Sequence, residues 1–390
     1  MRRRIGVFTA TRAEYGLLRP VLVALRESRG LEPVVIVAGS HLSPMHGATV
    51  SEIEADGIVA ATRLPVWPEG DGALDAAVAM GRTVEAVAVA AVDLKLDALM
   101  VLGDRSETLG AAAAAVVLAL PIIHLEGGHV TAGAIDDAMR HAVTKLAALH
   151  FTAHEDYRRR LIRMGESPDR VFVVGATGAA GVLAARDADL SAVSADVGFD
   201  LSPGFLLLTW QPETLTPDLD GRRFDALLAA LDQRPDLKVL VTLPNADAGG
   251  DIIRERISVW SADRAERVAV RESLGRSRYL RAVSASAAVI GNSSSGVLEA
   301  PLIGTPSVNI GDRQDGRRRT VSVIDCALET TAIVAALTKA TSPEFRRLAR
   351  EAAPGPDDPE VDGRAAERIV AILEQTNFVN LARKPFVDEA

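Results

Sequence analysis

The stretch Gly291-Asn-Ser-Ser-Ser-Gly-Val-Leu-Glu-Ala-Pro301 sets a polar, glycine-flanked turn between an apolar run at residues 287–290 and an apolar helical segment. An apolar strand that turns straight into a helix is the building unit of a parallel α/β sheet. The turn also has chemistry. Backbone N–H groups at a helix start, the positive end of the helix dipole and the hydroxyls of Ser293, Ser294 and Ser295 converge there, which suits a diphosphate. Asn292 and Gly296 flank the spot, and Glu299, about one turn further on, can accept hydrogen bonds from ribose hydroxyls. An ordinary serine-capped helix uses the same residue types, so the neighbouring sequence has to decide.

Outward from this turn, short β-branched runs alternate with helical stretches: residues 5–8, 34–37, 99–102, 122–125 and 171–174, then 205–208, 239–243, 289–290 and 308–310. Continuous apolar strands separated by helices predict parallel sheets buried on both faces, with ligands at the carboxyl ends of the strands. The apolar rhythm breaks between Asp187 and Gly204. The expected division is a first Rossmann-like domain over 1–187, a second over 188–360 and a C-terminal helix and tail over 361–390, the tail packing back on the first domain. Ala353-Pro-Gly-Pro-Asp-Asp-Pro359 stops any helix ahead of that last amphipathic stretch.

A chain of 390 residues suits about two domains. The formal charge of -9 argues against nucleic acid or an anionic membrane as partner, so cations that meet a phosphate must be local. Of three Arg triplets, only that at 317–319 lies near a phosphate-type motif; such runs are usually solvated faces. Cys326 is the only cysteine, which excludes an intrachain disulfide and points to a reducing, cytoplasmic setting. The basic start leads into too short an apolar run for a signal peptide and reads as a first strand. The most apolar window, residues 109–123, is shorter than the roughly 20 residues that span a bilayer and reads as a helix feeding a buried strand.

Polar motifs follow the expected strands. Thr9-Ala-Thr-Arg-Ala-Glu-Tyr-Gly16 presents Arg12 at a helix start, where its planar fork can clamp a phosphate or pair with Glu14. Gly103-Asp-Arg-Ser-Glu107 places Asp104 and Arg105 at a strand end, where a buried carboxylate is either paired or functional. His124-Leu-Glu-Gly-Gly-His-Val-Thr131 puts Glu126 at a tip beside two glycines that would let a ligand approach the backbone. Metal ligation by His124, Glu126 and His129 is disfavoured, since a glycine pair fixes no ligand geometry and no Cys/His cluster supports it. Ile135-Asp-Asp-Ala-Met-Arg-His-Ala-Val-Thr-Lys145 opens a helix with Asp136 and Asp137 in its first turn, suited to a helix dipole or to chemistry.

In this order the motifs, with Gly39-Ser-His-Leu-Ser-Pro44 and Asn309-Ile-Gly-Asp-Arg-Gln314, resemble the hydrolysing UDP-N-acetylglucosamine 2-epimerase family, the sugar-nucleotide 2-epimerases of sialic- and legionaminic-acid type biosynthesis. The resemblance runs from the first strand to about residue 325 and implies a GT-B architecture: two Rossmann-like, doubly wound parallel-sheet α/β domains facing a cleft. By carry-over, Ser293 and Ser294 with the adjacent amides bind the diphosphate, within a turn that includes Asn292, Ser295 and Gly296. Glu299 would bind the ribose and Arg12 and Arg313 the phosphate charge, with His41 and Arg105 as further substrate contacts. Asp104, Glu126 and Asp137 would form an acidic group around the sugar. The resemblance implies no metal and no other cofactor, a UDP-sugar as substrate, and a homodimer or homotetramer in the cytoplasm.

Two positions depart from the family pattern. Thr209-Trp-Gln-Pro-Glu-Thr214 carries Gln211 where a histidine is expected, and His129 stands where an acid commonly follows Glu-Gly-Gly. Gln211 can hydrogen-bond a phosphate but cannot exchange a proton near neutral pH. All seven histidines, at 41, 46, 124, 129, 141, 150 and 154, precede the second expected domain, so the alternatives are a simple donor role for Gln211, a proton role for His129, or an altered substrate or lost activity. Competing functions are a GDP-sugar 2-epimerase, a glycosyltransferase, disfavoured by the acid set, and a catalytically altered sugar-nucleotide-binding protein.

Overall fold

The structure, a computed structural model, describes residues 2–43, 48–67, 70, 72–215, 221–244 and 249–388. Pro44 and His46 lie outside them. The chain forms two compact units, one of residues 1–129, 136–180 and 356–390, the other of 130–135 and 181–355.

The first unit holds seven parallel strands: β1 (Arg3–Thr9), β2 (Leu31–Ala38), β3 (Ala60–Leu64), β4 (Ala98–Leu102), β5 (Ile122–Leu125), β6 (Leu149–Thr152) and β7 (Val171–Val173), in the order β3-β2-β1-β4-β5-β6-β7. Side-chain alternation divides its core in two. Val7, Val37, Met100, Leu125 and Phe151 face Leu18 and Leu22 of helix Arg12–Glu27 and Ile369 of helix Ala365–Gln375. Phe8, Ile36, Leu99, Val101 and Ile122 face Val87 of helix Ala73–Asp93 and the alanines of helix Ser106–Val117. Such strands are apolar throughout because both faces are covered.

The second unit holds β8 (Phe205–Thr209), β9 (Lys238–Thr242), β10 (Val268–Arg271), β11 (Ala288–Gly291), β12 (Ser307–Ile310) and β13 (Val323–Cys326), all parallel, in the order β10-β9-β8-β11-β12-β13. Leu206, Leu208, Val241 and Ile290 pack on Phe224, Leu227 and Leu337, while Phe205, Leu207, Leu240 and Val289 pack on Val283 and Ala300. These are two Rossmann-like units of the GT-B type.

In each sheet the strand order reverses once, between β1 and β4 and between β8 and β11. Loops at such reversal points diverge and leave room for a ligand. Arg12 and Asp104 follow β1 and β4; Gln211 and Ser293 follow β8 and β11. Both pairs of motifs thus stand at the switch point of their own sheet.

Candidate active site

In the first unit Arg140 lies at the centre of a network of the candidate residues. It is 1% exposed, on helix Asp136–Leu146, and its guanidinium bonds to Asp104, to Asp137 Oδ1 at 3.1 Å and to the carbonyl of His129 at 3.1 Å. One buried cation therefore draws together two of the expected acids and the loop that carries the third. His129 Nε2 donates to Glu126 Oε2 at 3.1 Å, and the ring lies on Tyr157 with centroids 4.1 Å apart. Asp104, Asp137, Glu126 and His129 thus form one connected network. The sequence reading assigned Arg140 no role; its signal was the i,i+3 spacing from Asp137 on one helix face.

Glu126, the residue directly after β5, has a positive φ of 61°, a backbone conformation uncommon for a non-glycine residue. Thr177 donates to Oε1 from its backbone N–H (3.0 Å) and its hydroxyl (2.7 Å). Burial alone would raise this carboxyl, but bonds from His129 and Thr177 outweigh it and hold Glu126 below the ordinary carboxylate range. No local sequence signal pointed to Thr177, because only the tertiary fold brings it to Glu126. Gly128 (φ +86°) is required by the protein itself: a Cβ there would lie 2.8 Å from Tyr157 O, so the chain's own packing, rather than a ligand, demands a glycine.

His124 is fully buried, which pushes its imidazole down to about 3 and leaves it neutral. Nε2–H donates to Gly103 O at 2.9 Å, and Nδ1 accepts from Thr144 Oγ1 at 3.3 Å. Nε2 thus holds the backbone just before Asp104, and Nδ1 ties the ring to helix Asp136–Leu146. His41 is used similarly, between Thr9 Oγ1 (2.9 Å) and Thr49 Oγ1 (2.7 Å), and burial lowers it to about 4. Arg12 is the first residue of its helix, while Glu14 is buried in a capping box, accepting from the N–H groups of Ala10 and Thr11. Arg105 lies 3.7 Å from the buried Glu107.

In the second unit Gly291 joins β11 to the serine turn with φ +134°, and a Cβ there would lie 2.0 Å from Thr209 O. Only glycine fits. Ser293 caps helix Ser294–Ile303 through the N–H of Ser295 (3.4 Å), and Tyr279 OH lies 2.5 Å from Ser295 Oγ. Asn292 is fully buried and fixes two loops: its Oδ1 accepts from Gln211 N (2.7 Å), its Nδ2 donates to Gln211 O (2.8 Å), and its carbonyl accepts from Gln314 Nε2 (2.8 Å) and Arg313 Nη1 (3.3 Å). Gln211, Asn292 and Arg313 are therefore held around the helix start. Glu299 pairs with Arg276 Nη1 at 2.9 Å, which orients its carboxylate. Among the described residues, no group of three or more His, Cys, Asp or Glu is placed to hold a metal ion, and no helix is long and apolar enough to cross a membrane.

A family model described as UDP-N-acetylglucosamine 2-epimerase matches residues 23–374. The chain belongs to that family. A GDP/UDP-N,N'-diacetylbacillosamine 2-epimerase (hydrolyzing) of Campylobacter jejuni is 34% identical over 346 residues, covering 89% of each chain. A UDP-N,N'-diacetylbacillosamine 2-epimerase (hydrolyzing) of Legionella pneumophila is 34% identical over 340 residues, 87% of this chain and 89% of that protein. The fold is also that of the crystal structure of UDP-GlcNAc 2-epimerase from Neisseria meningitidis bound to UDP-GlcNAc, at a TM-score of 0.79 and 19% identity over 96% of this chain and 100% of the other. With the family comes the class: this is a sugar-nucleotide 2-epimerase type of enzyme.

Proposed function

We propose that the chain is a hydrolysing 2-epimerase of a UDP-activated 2-acetamido sugar, releasing UDP and the free 2-epimeric, manno-configured sugar in nonulosonic acid biosynthesis. The 2,4-diacetamido-2,4,6-trideoxy sugar named for the Campylobacter and Legionella relatives is the first candidate, and UDP-N-acetylglucosamine the second. The observation that carries the reading is the Arg140 network, which gathers Asp104, Asp137 and, through His129, Glu126.

The chemistry needs such a group. A proton on carbon 2 beside an acetamido substituent is barely acidic, so departure of the nucleoside diphosphate has to lead. The serine turn, Arg12 and Arg313 take up charge growing on the diphosphate. Carboxylates stabilise the oxocarbenium-like sugar, and one removes the carbon-2 proton, giving a 2-acetamidoglycal. Glu126, held ionised by His129 and Thr177, keeps a full negative charge for the cationic sugar. Water then adds at carbon 1 and a proton returns to carbon 2 on the opposite face.

The test is incubation of the protein in D2O with UDP- and GDP-linked forms of both sugars, followed by NMR. Free UDP and a 2-epimeric sugar with one deuterium at carbon 2 are expected. A released sugar with unchanged configuration would make the protein a simple hydrolase, and tight binding without turnover would make it a sensor. GDP enters the panel because the Campylobacter relative's name includes both nucleotides.

A further inference from the structure

The C-terminal segment of the first unit lies behind the acidic network and holds it at two places. Ala176 N donates to Glu360 O at 2.8 Å, and Gly175 (φ +88°) is so close that a Cβ would lie 2.7 Å from Pro359 O. The next residue, Thr177, makes both bonds to Glu126 Oε1. The second place is Lys384. Its ammonium donates to the carbonyls of Thr144 and Lys145, each at 2.9 Å, at the end of the helix whose first half carries Asp137 and Arg140. A cation on the last carbonyls of a helix complements its dipole. Lys384 also lies 2.6 Å from Glu166 Oε2, a carboxylate that is 1% exposed and shared with Lys145 (2.7 Å) and His150 (2.9 Å).

From that anchor a short chain of contacts leads to the site. Thr144 meets His124, His124 holds Gly103 O, and Asp104 follows. The tail is fastened again beyond Lys384, where Val387 N donates to Gly165 O at 3.1 Å and the ring of Phe386 lies 4.5 Å from the Lys145 ammonium. An ordinary surface lysine would make none of these bonds, and a lysine with only a charge-pairing role would not need two helix carbonyls.

We propose that Lys384 is a positioning residue: by capping the end of helix Asp136–Leu146 it fixes the register of Asp137, Arg140 and the Gly103–Asp104 turn. Its effect on turnover rests on the epimerase reading above; its effect on the helix does not. The experiment uses the full chain with Lys384→Met, which keeps the stem and removes the charge, and Lys384→Arg, which keeps a donor cation. Backbone amide exchange over residues 136–147, UDP affinity, kcat and KM are measured for each. The expected result for Lys384→Met is exchange about tenfold faster in that segment, unchanged UDP affinity, and kcat about tenfold lower at similar KM, since a tenfold change is what losing one net hydrogen bond to a charged group supplies. Lys384→Arg should restore most of both. Unchanged exchange in this segment, or acceleration spread evenly over the whole first unit, overturns the proposal. If wild type turns over no sugar nucleotide, the epimerase reading fails while the exchange result still decides the role of Lys384.

Discussion

At the scale of single residues, the decisive contrast is between Glu126, which is held charged, and the histidines, most of which are held neutral. Ground-state attraction between an acidic group and a diphosphate sugar is poor, so Asp104 and Glu126 are expected to act on the transition state rather than on binding. Asp104→Asn and Glu126→Gln should each lower kcat by about 10²-fold or more, with UDP affinity by calorimetry little changed. Normal turnover in either variant removes that carboxylate from the mechanism. Arg140 should be more sensitive still: Arg140→Met strands two carboxylates against a buried face, and even with their partial exposure the loss is expected near about 3 kcal/mol of stability. His129 and Gln211 need a different measurement, because either can be a mere donor. His129 donates to Glu126 and packs tilted against Tyr157, which favours orientation over proton shuttling. The rate–pH profile of His129→Gln should therefore superimpose on that of wild type, and Gln211→His should keep or raise activity. Loss of a limb near the ordinary imidazole value of about 6.5 in His129→Gln would establish a proton role instead.

At the scale of elements, the turn after β11 was legible because its requirements are local: Gly291 for a backbone no other residue adopts, serine for a cap, an apolar strand before and an apolar helix after. The buried central strands were legible for the same reason. Edge strands β3, β10 and β13 did not stand out, since their faces are partly solvated and their sequences, Ala-Ala-Thr-Arg-Leu, Val-Ala-Val-Arg and Val-Ile-Asp-Cys, alternate or carry charge. β6 is interior but reads Leu-His-Phe-Thr, and its His150 is tolerated only because Glu166 accepts its Nε2–H. Asp104 and Glu126 stood out by their place after strands, whereas Thr177 and Lys384 act across long sequence separations that no spacing announces, and Arg140 gave only its i,i+3 spacing from Asp137. The serine turn gives its own prediction. Arg313 is tied to the carbonyl of Asn292, so it is already placed at the helix start, and charge-assisted bonds are worth roughly 1.5–3 kcal/mol. Arg313→Ala should weaken UDP binding about ten- to a hundredfold by calorimetry. Unchanged affinity would take Arg313 out of the nucleotide site.

At the scale of the whole molecule, buried titratable groups make the stability of the first unit depend on pH in opposing directions. Burial lowers His124 to about 3 and His41 to about 4, so between those values and the ordinary 6.5 the unfolded chain binds more protons than the folded one. Stability from these two therefore rises with pH and is complete above about 6.5. Glu14 runs the other way. Burial, then the nearby charge of Glu107, raises it to about 7, so between 4.5 and about 7 the folded chain holds a proton that the unfolded chain has released. Its contribution is full below about 4.5 and is lost as pH rises to about 7. Glu166, drawn down to about 2 by His150 and the lysines against the opposing effect of burial, matters only in acid, where its stabilisation fades as pH falls below 4.5. His124 and His41, joined by His141 and His150, which burial also lowers, outweigh Glu14 below 6.5, and Glu14 continues to lose stability between 6.5 and about 7, so a maximum is expected near pH 6.5, with each pKa unit worth about 1.4 kcal/mol. Glu14→Gln imitates the protonated acid, and its amide oxygen can still accept from the N–H groups of Ala10 and Thr11. Thermal unfolding from pH 4.5 to 8.5 should show the variant level with wild type at the acid end and more stable at pH 8. Parallel curves across that range would mean that Glu14 does not carry the proton at neutral pH.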